Sequence, residues 1–159
     1  MIIRISCAVI IIISCSYVGM KISNSLAGRV RTLGTILAAM TEIKSCIGSV
    51  RMPLEEIYAS LGQVKGPVGQ FFSKISPGCD WGKHIHILPE LTGRDKSVIL
   101  RMSRKLGVSP AEQQIEEIGL AESLIEESLA QAKTDMAQNA RVYRAMSFFT
   151  GVVIAILLI

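Results

Sequence analysis

Apolar residues gather at the two ends of the chain and recur at helical spacing between them. The first run, Ile5 to Met20, holds sixteen residues without a charge, and Ile2 and Ile3 extend it past Arg4. The second run, Ala145 to Ile159, holds fifteen, with Val142 and Tyr143 just beyond Arg144. A spanning helix needs roughly 20 apolar residues, with about 17 near the lower limit. Each run reaches that length when the arginine at its edge extends to the headgroups, a cheap adjustment for a long side chain. No comparable run lies between them. The pattern predicts two transmembrane helices, 2–20 and 145–159, flanking a domain at 21–144.

Within that domain, apolar residues recur at Ile22, Leu26, Leu33, Ile36, Met40, Ile43, Ile47 and Val50, in alternating steps of four and three that only Arg29 interrupts. The seam predicts one long helix leaving the first span. Pro53 ends it or opens the next, because the residue before a proline resists helical geometry. Pro53 to Gln63 and Pro67 to Ile75 read as short helices, and Ser76-Pro77-Gly78 breaks the second. Cys79 to Leu88 has no period and reads as loop. A further helix starts at Pro89 or Thr92 and runs to Leu106, with Val98, Ile99, Met102 and Leu106 on one face, and Gly107 stops it. Ser109-Pro110 with Glu112 reads as a capping box with proline in the first helical position. The last helix then runs from Pro110 into the final apolar run, burying Ile118, Ala121, Ile125, Leu129, Ala132, Met136, Ala140 and Tyr143. The expected fold is all-α, a bundle with two long helices continuous with the spans.

Composition changes this picture little. The chain has 159 residues, enough for one domain, and is 19% charged and 5% aromatic with a formal charge of +4. No aromatic residues interleave with the bases and no nucleic-acid-binding motif is present, so nucleic acid is not an expected partner. Of 17 Lys and Arg, only Arg4 lies outside 21–144. By the positive-inside rule the middle domain is cytoplasmic and both termini are outside. Cys7 and Cys15 then lie in the membrane, and Cys46 and Cys79 are cytosolic thiols. An alternative starts from Ile12-Ile13-Ser14-Cys15, which resembles a lipobox. It would make the chain a membrane-anchored lipoprotein with an exported helical binding domain. Ser16 to Met20 stay apolar where a lipoprotein carries a polar tether, which favours two spans.

Candidate chemistry is sparse. Cys79, His84 and His86 match no zinc spacing. No Gly-x-Ser-x-Gly elbow or phosphate-binding glycine loop occurs. No catalytic residue, cofactor or metal is expected, and the chain is not expected to be an enzyme. Charge is more informative. Arg94, Lys96, Arg101, Arg104 and Lys105 form a basic run. Glu112, Glu116, Glu117, Glu122, Glu126, Glu127 and Asp135 hold seven of the 13 acids. Two helices with faces of opposite sign would neutralise each other in part, and a face left over would dock a cytoplasmic partner. In the last run, Ser147, Gly151 and Ala155 follow the small-xxx-small pattern of close helix packing, with Cys15 and Gly19 or another subunit as the opposing surface.

These features together resemble the stage III sporulation protein AB family of endospore-forming bacteria. The likeness covers nearly the whole chain. It is carried by Glu42-Ile43, Met52-Pro53-Leu54-Glu55-Glu56, Leu106-Gly107-Val108-Ser109 and Arg141-Val142-Tyr143-Arg144, then by Ser147, Gly151 and Ile156-Leu157-Leu158-Ile159. Met52 stands where the family usually has threonine, and Pro110 where it tends to carry aspartate. The family is similar to the inner-membrane platform proteins of type II secretion and type IV pilus systems. The resemblance implies a non-enzymatic platform in a secretion-like channel between mother cell and forespore, in the mother-cell membrane. It also implies docking of a cytoplasmic ATPase and contact with other channel proteins. Candidate docking residues are Pro53, Leu54, Glu55 and Glu56 with the basic run Arg94, Lys96, Arg101, Arg104 and Lys105. A homo-oligomer is a further expectation.

Overall fold

The structure is a computed structural model that describes residues 2–50 and 52–158. Many side chains near the two ends lie outside the described ones, among them those of Arg4, Cys7, Cys15, Gly19, Ile22, Ala140, Tyr143, Ser147, Gly151 and Ala155. The packing face expected at Ser147, Gly151 and Ala155 falls on these residues.

Among the described residues every regular element is helical. Five α-helices follow in order: α1 (Ile2–Ser45), α2 (Leu54–Gly62), α3 (Pro67–Phe72), α4 (Gly93–Ser103) and α5 (Ala111–Leu158). A π-helical turn, Cys46–Val50, follows α1, and two 3-10 turns, Trp81–Lys83 and Ile85–Ile87, lie between α3 and α4. Contacts divide the chain into two compact units, one made of 1–30 with 131–159 and the other of 31–130. Among the described residues no helix is long and apolar enough to cross a membrane. The two apolar runs lie mostly on residues whose side chains are outside that set.

In the 31–130 unit the expected seams are buried. Leu33, Ile36, Met40 and Ile43 of α1 are at most 4% exposed, and Ile118, Ala121 and Ile125 of α5 at most 1%. Val98, Ile99 and Met102 of α4, with Leu106 beyond it, are buried too. Each fully buried Leu, Ile or Met side chain contributes roughly 1.5–3 kcal/mol. Polar ties join the long helices across this core. Glu122 accepts from the Thr41 hydroxyl at 2.8 Å and from the Lys44 ammonium at 2.6 Å. Thr32, nearly buried in α1, donates to the Glu90 carboxylate.

Three local outcomes differ from the expectations. The seam helix does not run evenly to Val50, because its last turn widens into the π turn. There Met52 N–H donates to the Cys46 carbonyl, six residues back. Pro53 explains the unwinding, since it offers no N–H and keeps Met52 out of helical geometry. The capping box at Ser109 and Glu112 does not form. α5 starts one residue later than that motif needs, and Gln114 ties down the turn instead. Its Oε1 accepts from Gly107 N–H at 3.1 Å and its Nε2 donates to the Ser109 carbonyl at 2.6 Å. The capping box sits on α4, where Thr92 accepts from Asp95 N–H and Asp95 accepts from Thr92 N–H. The 79–88 segment is also more ordered than a plain loop, as Trp81 anchors its first 3-10 turn in the core.

In the unit of 1–30 and 131–159, large apolar side chains stand exposed along both helices. Ile13, Tyr17 and Met20 are 63%, 60% and 53% exposed, at steps of four and three. Val142, Met146, Phe149 and Val153 are 50%, 62%, 64% and 56% exposed, at steps of four, three and four.

Candidate partner-docking surface

The Pro53–Glu56 junction is built by proline. Pro53, with φ −58° and ψ 140°, holds the chain extended just before α2, and no side chain caps that end. Its carbonyl accepts from the N–H groups of Glu56 and Ile57 at 3.1 and 3.3 Å. Glu55 and Glu56, both exposed, occupy the first turn, where carboxylates interact favourably with the positive end of the helix dipole. The Gly107 turn meets the same junction, for a Cβ on Gly107 would lie 3.1 Å from Leu54 Cδ1.

Two cavities open on either side of Tyr58. One, of about 460 Å³, is lined by Glu55, Tyr58, Gln63, Phe72, Ser73 and Pro77. The other, of about 310 Å³, is lined by Tyr58, Cys79, Asp80, Trp81, Arg104 and Val108. Tyr58 lines both, and it belongs to an aromatic cluster. Tyr58 and Trp81 meet edge-on at 6.0 Å between ring centroids, Phe71 and Trp81 at 5.5 Å, and Phe72 and Trp81 at 5.6 Å. Edge-to-face pairs at such distances favour a fixed arrangement. Burial in this cluster pushes the Tyr58 hydroxyl from 10.0 up to about 12.

The structure divides the basic run. Arg94 pairs with Glu127 at 3.1 Å and Arg101 with Glu117 at 4.0 Å, both at exposed positions where such pairs contribute about 0–1 kcal/mol. The expected neutralisation of two opposed faces therefore occurs at those two bases. Arg104 and Lys105, at the end of α4, are exposed and form no ion pair among the described residues. Their charges sit where the helix dipole is negative. They lie beside the Gly107 turn, which meets Leu54 of the Pro53–Glu56 junction, and Arg104 lines a cavity with Tyr58. Arg94 is ten residues up the helix, about 15 Å away along its axis.

Val108 is what the sequence reading missed. At 83% exposure it is the most exposed large apolar residue described in the 31–130 unit. The only sequence signal was its place after Gly107, whose φ of +77° turns the next residue outward. His84 is half-buried and His86 exposed on the 3-10 turns. Among the described residues no group of three His, Cys, Asp or Glu side chains gathers as a metal site.

Comparison with curated proteins and with solved structures returns no match. A family model described as stage III sporulation protein AB matches residues 4–159.

Proposed function

Because the chain belongs to the stage III sporulation protein AB family, which ties it to sporulation, we propose that it is a membrane platform of a secretion-like channel between mother cell and forespore. It is not an enzyme in this reading, and its helical bundle docks a cytoplasmic ATPase.

The single observation that carries the membrane part is the exposed apolar stripe on both helices of the unit formed by 1–30 and 131–159. Side chains as large as Phe149 and Ile13, more than 60% exposed, are costly in water and favourable against lipid tails. They fall on the two apolar runs and just before the second, which supports transmembrane helices at 2–20 and 145–159. The bases at Lys21, Arg29, Arg31, Lys133, Arg141 and Arg144 then favour a cytoplasmic 21–144 domain.

For the ATPase, the Pro53–Glu56 junction is the better surface. Arg94 and Arg101 are engaged with α5, whereas Glu55 and Glu56 are exposed beside the 460 Å³ cavity. Two carboxylates at a helix start suit a basic patch on the partner. The test is capture of the secretion-type ATPase by the full-length protein in detergent. Replacing Glu55 and Glu56 with lysine is expected to cut capture at least tenfold. Undiminished capture would remove the α2 start from the docking surface.

A further inference from the structure

The bundle carries two patches of matching design and opposite charge. In the first, Val108, 83% exposed, is accompanied by the exposed bases Arg104 and Lys105, which form no ion pair among the described residues. In the second, Leu120, 50% exposed, follows Glu116 and Glu112 at steps of four along α5. Steps of four keep the three side chains on one helix face. That face is opposite the buried stripe of Ile118, Ala121 and Ile125, so it points away from the core. Neither Glu112 nor Glu116 forms an ion pair among the described residues, although Glu117, Glu122 and Glu127 all do.

We infer that these patches bind each other between copies of this chain, Arg104, Lys105 and Val108 of one copy docking on Glu112, Glu116 and Leu120 of the next. Each patch places one aliphatic anchor beside two like charges, and the signs are complementary. Such an arrangement gives an apolar contact with a charged rim, the usual anatomy of a protein interface. The patches occupy different surfaces, since Arg104 and Val108 line the cavity with Cys79 and Asp80, a cavity to which α5 contributes no wall. A contact between unlike surfaces is heterologous, so it propagates from copy to copy into a ring or an open chain. Both patches also lie at one end of the 31–130 unit. Arg104 to Val108 immediately precede α5, and Glu112 to Leu120 span about 12 Å of its start. Copies that share one membrane, as the platform reading holds, all face the same way, which is what a repeating contact between unlike patches needs. The contact uses neither Glu55 nor Glu56.

The test uses three full-length proteins in detergent at low salt, with mass measured by light scattering. They are the unchanged chain, a basic-side variant (Arg104→Glu with Lys105→Glu) and an acidic-side variant (Glu112→Lys with Glu116→Lys). The unchanged chain is expected to form species larger than a dimer, which recede as salt is raised. Each variant alone is expected to lose every species above the monomer. Mixed in equal amounts, the variants bring opposite signs together at both patches and are expected to assemble again as alternating copies. Because the mixture pairs only if both variants are folded, misfolding cannot mimic this result. The inference is overturned if the unchanged chain stays monomeric, if either variant assembles as it does, or if the folded variants fail to pair. ATPase capture reads the docking proposal separately. An unchanged chain that captures the ATPase but stays monomeric faults this contact alone, and an unchanged chain that assembles but captures no ATPase faults the docking reading alone.

Discussion

At Gly69 there is no room for a side chain. A Cβ there would lie 1.7 Å from the Val64 carbonyl oxygen, a backbone atom that cannot step aside without moving the turn between α2 and α3. Gly69→Ala should therefore destabilise by at least about 2 kcal/mol, seen as a lower unfolding midpoint in denaturant. Gly107 is held for a different reason, its φ of +77°, and Gly107→Ala should cost about 1–2 kcal/mol. Tyr58 adds a pH dependence of its own. Burial raises its hydroxyl from 10.0 to about 12, so between those values the folded chain holds a proton that the unfolded chain has released. The sign follows directly: stability is full below pH 10.0 and declines as pH rises toward about 12, by up to about 3 kcal/mol. Tyr58→Phe keeps the ring and removes the ionisation. Denaturant midpoints measured across that alkaline window should fall less in the variant, and an identical fall in both proteins would refute the assignment.

At the scale of elements, α1 is fastened to α5 by both apolar seam and polar junction, and the two were not equally legible. The seam could be read from spacing alone, because Leu33, Ile36, Met40 and Ile43 repeat at the helical period and bury accordingly. The junction could not. Thr41 and Lys44 meet Glu122 across 81 and 78 residues, and no local pattern encodes which acid of α5 faces which helix. The same blindness affected the basic run, whose five members look alike in sequence. Geometry sends Arg94 and Arg101 to Glu127 and Glu117 but leaves Arg104 and Lys105 exposed. The capping box expected at Ser109 and Glu112 does not form, because α5 starts at Ala111 and Gln114 supplies the bonds from further along. The docking surface was half visible, then, with the prolines marking the α2 start and only the preceding Gly107 marking Val108. The Glu122 junction is itself testable. Glu122 is 16% exposed and its partner Lys44 38%, so solvent screens the pair and Glu122→Ala should cost about 1 kcal/mol. A double-mutant cycle with Lys44→Ala measures the coupling, and a coupling of zero would show that the pair contributes nothing.

For the whole molecule, everything proposed about partners depends on which side of a membrane the 31–130 unit faces. In that proposal charge supplies the direction, since Arg4 is the only base among 17 outside 21–144, and the exposed apolar stripe supplies the anchor. Neither argument uses the cysteines, which makes them an independent probe. Cys46 and Cys79 are both free and half-buried, so they react slowly with a thiol reagent but are reachable. A chain with Cys7 and Cys15 replaced by serine leaves these two as its only thiols. With a membrane-impermeant reagent, intact cells should show no labelling of either cysteine, and lysed spheroplasts should show both labelled to the extent expected of half-buried side chains. Equal labelling in intact cells would place the bundle outside, reverse the topology and remove any cytoplasmic ATPase from its reach. The contact between copies would survive that outcome, because its charges and anchors lie within the bundle and need only that neighbouring copies face the same way.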